Sequence, residues 1–246
     1  MSFMDKVLRG STLVGIWIFM LAFLIYGDRF LGFGLSRLST GVEALFLLTL
    51  LLALLITIPK LRKNFTGYIF LSDKMHLIIG LPILLAIGMQ VTFNFARFIP
   101  TWVGGEMIGV GSGQFTSSEI LSEMGERILV SVIVPFNEEF LFRYVPYVVI
   151  LLGTNSAKEH SNVFNKLHIN LFVEKNIKYV WGWILSTSFA FAMIHDPSAL
   201  NFSFYFIPGI AYAFLFLRYG LFSAILAHSL YNLFSGIIFE MVKHVV

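Results

Sequence analysis

The 246-residue sequence contains no cysteine, and only 13% of its residues are charged. Without cysteine there is no disulfide bond, no thiol nucleophile and no thiolate ligand for a metal. A soluble domain typically carries about a quarter charged residues. Half that fraction, together with 57% hydrophobic residues and 27 Phe, excludes an ordinary soluble domain and a disordered chain. The composition indicates a polytopic membrane protein.

The sequence also lacks blocks of residues with the same charge. The 17 Lys and Arg exceed the 14 Asp and Glu by three, and the chain has neither a basic arm nor a run of like charges. Nothing in the sequence therefore supports nucleic-acid binding. The small basic excess is better explained by orientation in a membrane.

Long apolar runs recur along the chain, and a membrane-spanning helix needs about 20 mostly apolar residues. We therefore predict an all-α fold, a polytopic transmembrane helix bundle of about seven spans, with six to eight compatible because the turn at Tyr219-Gly220 is a soft boundary. The apolar runs are 10–26, 42–58, 76–99, 128–152, 178–195, 201–217 and 219–242.

Two stretches between these runs are different in character. Residues 100–127 are rich in glycine and then acidic, and we expect an interfacial or re-entrant piece in which Ser117 or Ser118 caps a short amphipathic helix. Residues 153–177 are polar and are expected to form the longest hydrophilic loop.

The loop charges predict the orientation. With seven spans, the side that holds the amino terminus carries eleven Lys and Arg, and the other side carries five. Basic residues favour the cytoplasmic side, so we expect an integral membrane protein with a cytoplasmic amino terminus and a cytoplasmic 153–177 loop. If the functional residues lie in the cytoplasmic half, leaders of exported peptides would be natural substrates.

Several polar residues stand where lipid-facing residues are expected. Each Asp, Lys or Arg at a span centre costs about 2.5–3.5 kcal/mol on insertion scales, so the acidic and basic residues of the fourth span would cost on the order of 8 kcal/mol in lipid. They must face one another or a wet cavity. The residues are Glu138, Glu139 and Arg143 in the fourth span, His195 at the end of the fifth, and His228 and Asn232 in the seventh.

Helix geometry separates the two glutamates. Glu139 and Arg143 are four positions apart and can pair on one face. Glu138 points about 100° away on a 3.6-residue helix and has no basic partner three or four positions on, so it is free for another task. His228 and Asn232 also share a face. One alternative is a single inert hydrogen-bonded network buried between helices.

These residue types suit the hydrolysis of an amide. A carboxylate beside an imidazole can activate water as a general base, directly or through a bound metal. A second imidazole and an amide can donate hydrogen bonds to a developing oxyanion. The sequence offers no competing protease motif: H-E-x-x-H and Gly-x-Gly-Asp are absent, and Gly111-Ser112-Gly113 is not a G-x-S-G motif.

The ordered motifs resemble those of the CPBP family of intramembrane proteases, also called the CAAX protease and bacteriocin-processing or Abi family. That family is marked by E-E-x-x-x-R, F-x-x-x-H and H-x-x-x-N/D on successive helices. Glu138-Glu139-x-x-x-Arg143, Phe191-x-x-x-His195 and His228-x-x-x-Asn232 match in order over residues 120–240. The resemblance implies a catalytic core within 101–246, and the first three predicted spans, within 1–100, lie outside the resemblance.

The resemblance also implies a role for each residue. Glu138 would activate the attacking water with His195, and His228 with Asn232 would form the oxyanion site. Glu139, Arg143 and Phe191 would support the motif helices. Glu138, His195 and His228 could hold one divalent cation such as zinc, with water in the fourth position, and a metal-free site is equally compatible with these residues.

The expected function is therefore endopeptidase activity on a peptide or membrane-anchored protein. Bacterial members of the family are linked to peptide maturation and bacteriocin self-immunity, while eukaryotic members cut the last three residues after a prenylated Cys. The short chain resembles a bacterial member, which implies the bacterial plasma membrane.

The first alternative is a non-enzymatic immunity or scaffold protein that binds a peptide or membrane partner. A transporter with a glutamate proton relay is the second, although the chain shows no internal repeat.

Overall fold

The computed structural model describes residues 3–110 and 121–245, with side chains from residue 7 onward. Within these residues the protein is all-α and has no strand. The caps predicted at Ser117 or Ser118 and the Gly111-Ser112-Gly113 piece lie outside the described residues.

Each predicted apolar run overlaps a long helical segment of the described chain. Six of these segments are single helices, and the run at 128–152 forms part of a composite helix. The single helices are α1 (Phe3–Leu31), α2 (Ser39–Thr57), α4 (Met75–Phe98), α9 (Ile177–Met193), α10 (Ser203–Tyr219) and α11 (Leu221–Lys243).

The composite helix consists of α5 (Glu123–Ile128), α6 (Val134–Glu139) and α7 (Val145–Ala157), joined end to end by two π-helical turns. The turns are Leu129–Ile133 and Phe140–Tyr144. Each turn is followed by a proline at the second position of the next helix, Pro135 and Pro146. Proline lacks an N–H and clashes with the preceding helical turn, which explains the widened hydrogen-bond pattern at both places. Such π-bulges are frequent at functional sites.

Two shorter helices fall outside the predicted spans. α3 (Pro59–Ile69) follows α2 directly, and α8 (Asn162–His168) continues into a π-helical turn, Ile169–Val173. The expectation that 153–177 is a hydrophilic loop was therefore wrong for most of its length. Apolar side chains such as Leu167 and Leu171 pack against the main core, and this anchors a short amphipathic helix that the polar composition concealed.

The outer surface of the bundle is apolar. Large side chains such as Phe19, Phe23 and Leu84 are about two-thirds exposed, and surface of this kind is expected where lipid is the solvent. Four helical segments of the described chain are long and apolar enough to cross a membrane: Val7–Leu31, Ser39–Thr57, Met75–Val103 and Leu221–Lys243. These features are those of an integral membrane protein.

The remaining long helices differ from those four for physical reasons. α9 and α10 have 17 residues each, about 25 Å at about 1.5 Å per residue, which is shorter than a typical hydrocarbon core of roughly 30 Å. The composite helix carries the Glu138-Glu139-Arg143 cluster in its centre.

The connections between helices alternate between two ends of the bundle. At the first end, the backbone N–H of Leu71 donates to the carbonyl of Tyr219. Gly220 has φ 103°, and a Cβ there would collide with the carbonyl of Ile69, so glycine is required for this close approach. We call this the basic end, because it carries eight of the 17 Lys and Arg residues; it comprises 57–74, 158–176 and 218–220.

At the other end, Ser122 donates its backbone N–H to the carbonyl of Phe33 at 3.0 Å, and the Asn201 side chain donates to the carbonyl of Gly109 at 3.2 Å. These bonds join 31–38, 99–110, 121–122 and 194–202, which we call the opposite end. Ser122 also caps α5, because its hydroxyl accepts from the backbone N–H of Gly125 at 3.0 Å.

A buried carboxylate organises the first connection at the opposite end. Asp28 is 4% exposed and accepts hydrogen bonds from the backbone N–H groups of Leu35 and Ser36, both at 2.8 Å. The Ser36 hydroxyl adds a third bond at 2.6 Å. These bonds satisfy the charge of Asp28 and fix the turn that leads into α2.

α4 and α11 lie side by side and run in the same direction. Near the basic end, the Ser223 hydroxyl donates to the carbonyl of Ile78 at 3.0 Å. Near the opposite end, the Arg97 guanidinium lies 5.0 Å from the ring centre of Phe239. This pairing places α4 directly beside the helix that carries His228 and Asn232.

Candidate active site

Three helices bring the central motif residues together. Glu138 lies in α6, His228 lies in α11, and His195 follows the end of α9. The Glu138 Oε1 atom is 3.9 Å from Nε2 of His195, and its Oε2 atom is 3.7 Å from Nε2 of His228. The carboxylate therefore lies between two imidazoles that come from different parts of the sequence.

The two adjacent glutamates occupy different environments. The Glu138 side chain is 17% exposed. The Glu139 side chain is fully buried, and its Oε2 atom is 3.2 Å from Nε of an equally buried Arg143. The predicted pairing of Glu139 with Arg143 is present, and Glu138 faces a cavity.

Arg143 ties the site to a third element. Its Nη2 atom donates to the carbonyl of Gly209 in α10 at 3.2 Å, and its guanidinium lies 5.1 Å from the ring centre of Phe191. Gly209 allows this approach, since a Cβ at this position would crowd Phe191 and Ser188. With a further bond from Nη1 to the carbonyl of Phe142 at 3.4 Å, the buried cation has one carboxylate, two carbonyls and one aromatic face as partners.

Each histidine is oriented through its Nδ1 atom. His195 Nδ1 is 2.9 Å from the carbonyl of Phe191, and a carbonyl can only accept, so Nδ1 carries the proton. His228 Nδ1 is 3.0 Å from Oε1 of Glu139. In both rings the Nε2 atom is consequently the one presented to Glu138.

Aromatic rings hold the imidazoles in place. Tyr205 stacks on His195 with ring centres 4.6 Å apart, and Tyr212 stacks on His228 at 4.7 Å with an interplanar angle of 13°. Phe191 contacts both imidazoles, with centre distances of 4.9 and 5.6 Å. The predicted supporting residue Phe191 therefore lies between the two histidines and contacts both rings.

Asn232 lies further along the same face of α11. Its side-chain nitrogen donates to the carbonyl of Val130 at 2.9 Å, and Val130 belongs to the first π-helical turn. An amide nitrogen has two N–H groups, so one remains for the cavity. The structure thus brings Glu138, His195, His228 and Asn232 to one cavity wall.

The cavity has a volume of about 330 Å³. Apolar side chains form most of its lining, together with the four polar residues just described and three tyrosines. The lining residues are Val110, Val130, Val134, Glu138, Phe191, Ile194, His195, Phe204, Tyr205, Pro208, Tyr212, His228, Tyr231 and Asn232.

The cavity lies toward the opposite end of the bundle. Val110, His195 and Tyr205 belong to, or adjoin, the connections of that end, whereas residues 153–177 belong to the basic end. The residues that follow the glutamate pair along the chain therefore lead away from the cavity, not around it.

The donor types at the site suit a divalent cation, since carboxylate and imidazole are both zinc ligands. Metal-binding histidines also typically donate the N–H of the other ring nitrogen to a carboxylate or a carbonyl, as the Nδ1 atoms do here. The described residues nevertheless contain no group of three or more His, Cys, Asp or Glu arranged to hold a metal ion.

Comparison with known proteins agrees with this geometry. Residues 121–234 match the family described as type II CAAX prenyl endopeptidase Rce1-like, and the matched range contains all three motifs. Residues 121–234 are thus similar to an Rce1-like type II CAAX prenyl endopeptidase domain. A match to this family indicates a peptidase, in agreement with the resemblance found in the motifs. No curated protein and no solved structure gives a significant match to the chain.

Sequence reasoning missed three residues of the candidate site. Tyr205, Gly209 and Tyr212 all lie in α10 and contact His195, Arg143 and His228 respectively. Tyr205 and Tyr212 are seven positions apart, which places them on one helix face. That spacing was a usable signal for an aromatic face on α10.

Proposed function

We propose that the protein is a glutamate-dependent intramembrane endopeptidase that cleaves a peptide or a membrane-anchored protein. The observation that carries the proposal is the position of the Glu138 carboxylate, 3.9 and 3.7 Å from two Nε2 atoms at the wall of a cavity. Within an apolar bundle, burial of a glutamate and two histidines has a high free-energy cost, so their position around one cavity indicates a function.

The attacking water binds between Glu138 and His195. A separation of 3.9 Å is too long for a direct hydrogen bond and suits one bridging water. The water donates one hydrogen to the carboxylate and one to the unprotonated Nε2 of His195, which leaves its lone pairs for the substrate carbonyl. Glu138 takes a proton as the C–O bond forms and returns it to the amine when the C–N bond breaks.

Asn232 and His228 stabilise the oxyanion. Asn232 contributes its second amide N–H, and His228 contributes an Nε2–H when both of its ring nitrogens are protonated. One oxyanion donor is worth about 100- to 1,000-fold in rate.

The proposed topology has seven spans and a cytoplasmic amino terminus, as the distribution of Lys and Arg favours. The basic end is then cytoplasmic, and the cavity faces the other side of the membrane. Substrates would be cut at or near the non-cytoplasmic face, so leaders still held in the cytoplasm are disfavoured. Peptide maturation or self-immunity to a bacteriocin at a bacterial plasma membrane fits this placement.

The purified protein in lipid nanodiscs tests the activity. Apolar peptide libraries are incubated with the wild type, with Glu138→Gln and with the exposed control Glu43→Gln, and new termini are read by mass spectrometry. The wild type and the control should generate the same termini, and Glu138→Gln should generate none. Equal products from all three would contradict the proposal.

A further inference from the structure

A second groove continues from the catalytic cavity along α4 and α11. Its volume is about 480 Å³, and its wall beyond the cavity is more polar, with Gln90, Asn94, Arg97 and Glu126. The two spaces share the lining residues Val110, Val130, Phe204, Tyr205, Tyr231 and Asn232. A chain bound across Glu138 can therefore extend into this groove.

A hydrogen-bonded relay fixes Arg97 in the groove. The Gln90 amide donates to the carbonyl of Tyr231 at 2.7 Å and accepts from the Asn94 amide at 3.0 Å. Asn94 in turn accepts from Nη1 of Arg97 at 3.1 Å, and Nε of Arg97 donates to the carbonyl of Ile108 at 2.9 Å. Gln90 and Asn94 are 4% and 2% exposed, so the relay is anchored inside the bundle.

The relay gives Arg97 only neutral partners. Across residues 7–110 and 121–245, no Asp or Glu forms an ion pair with Arg97; Glu126 lines the same groove but is not paired with it. The other partner of the half-buried guanidinium is the ring of Phe239. A cation at the edge of the membrane is normally compensated by an opposite charge, and among the described residues no carboxylate compensates Arg97 on the groove side.

The distance between Arg97 and the reacting centre follows from the helical rise of α11. Arg97 packs at the level of Phe239, eleven positions after His228, which is about 16 Å at about 1.5 Å per residue. An extended peptide spans about 3.3 Å per residue, so about five residues cover that distance.

We propose that Arg97 binds a carboxylate of the peptide substrate about five residues from the scissile bond, as a specificity subsite of the endopeptidase. This inference rests on the proposed function. The carboxylate is either the free carboxyl terminus of the substrate or an Asp or Glu side chain. Arg97 binds the anion through its remaining N–H groups, and Asn94 and Gln90 are positioning residues that hold the guanidinium.

The test compares matched apolar peptides in phosphatidylcholine nanodiscs. One set ends in a free carboxylate, a second ends in a carboxamide, and a third ends in a carboxamide but contains one Glu. We expect the wild type to favour one of the two carboxylate-containing sets over the plain carboxamide by about tenfold or more in KM, since hydrogen bonds to a charged group are worth about 1.5–3 kcal/mol. The favoured set identifies the source of the carboxylate.

Variants isolate the residue responsible. Arg97→Gln should abolish the preference while cleavage of the carboxamide set continues, and Arg97→Lys should retain part of it. Arg127→Gln is the matched control, because Arg127 lies at the same end of the bundle, is largely exposed and pairs with Glu123. Equal cleavage of all three sets by the wild type, or an equal loss on all sets in Arg97→Gln, would overturn the subsite.

A binding measurement separates this inference from the proposed activity. Fluorescent versions of the three peptides are titrated onto Glu138→Gln, with and without Arg97→Gln. A carboxylate preference that depends on Arg97 supports the subsite even if no cleavage is found, whereas binding without preference overturns it even if cleavage occurs. If phosphatidylglycerol in the nanodisc removes the preference, the groove binds a lipid headgroup and the inference is wrong.

Discussion

The Nδ1 atom of His228 lies 3.0 Å from Oε1 of Glu139, and this contact separates the roles of two adjacent glutamates. Glu139 is fully buried between His228 and Arg143. Glu138, one position earlier, faces the cavity. A helix can place neighbouring residues in such different surroundings because successive side chains diverge by about 100°.

Glu139→Gln should destabilise the protein. The substitution leaves the buried Arg143 without its carboxylate, and removal of one partner of a buried pair costs about 3–5 kcal/mol. Denaturant unfolding in detergent micelles measures the loss. Glu138→Gln, with its partly exposed side chain, should unfold within about 1 kcal/mol of the wild type; equal destabilisation by both variants would contradict the separation of roles.

Tyr212 should act through the stack on His228. Tyr212→Phe keeps the ring and should retain cleavage, whereas Tyr212→Leu removes an aromatic contact worth about 0.5–1.5 kcal/mol and should lower kcat by up to about tenfold. Thermal unfolding of both variants provides the control for folding. A full loss of activity in Tyr212→Phe would instead assign the hydroxyl group a direct part in catalysis.

Much of the fold follows from local sequence properties. The predicted apolar runs overlap the long helical segments of the described chain, and four of these segments are long and apolar enough to cross a membrane. The π-helical turns and α8 were not predicted, since both depend on tertiary packing: prolines distort the composite helix, and Leu171 packs against the main core. The cap at Ser122 was not predicted. The caps that were predicted, Ser117 or Ser118, lie outside the described residues.

The site was predictable where residues on one helix share a face. The pairing of Glu139 with Arg143 follows from their spacing of four positions. The contact of Glu139 with His228 joins residues 89 positions apart, and the stacking of Tyr205 and Tyr212 depends on how α10 packs against α9 and α11. No local pattern determines such contacts.

The orientation of the cavity can be measured with single cysteines, because the chain contains none of its own. Ala199→Cys places a thiol on the exposed connection beside the cavity, and Glu159→Cys places one at the basic end. In intact cells a membrane-impermeant maleimide should label the first and not the second. Permeabilised cells should show both labelled, and the reverse pattern in intact cells would invert the proposed topology.

Metal chelation should leave cleavage unchanged. The proposed step uses the Glu138 carboxylate and an imidazole as direct partners of water. Peptide cleavage by the purified protein is measured before and after dialysis against a strong zinc chelator. Loss of activity that added zinc restores would assign the Glu138, His195 and His228 set to a metal.

The most direct measurement compares peptide termini in cells that produce the wild type, Glu138→Gln or the exposed control Glu43→Gln at equal protein levels. We predict that a defined set of termini is present with the wild type and the control and absent with Glu138→Gln, and that these termini identify the substrate. Identical termini in all three, with any immunity or partner-binding phenotype intact, would show that the glutamate and histidine cluster is structural and that the protein acts by binding.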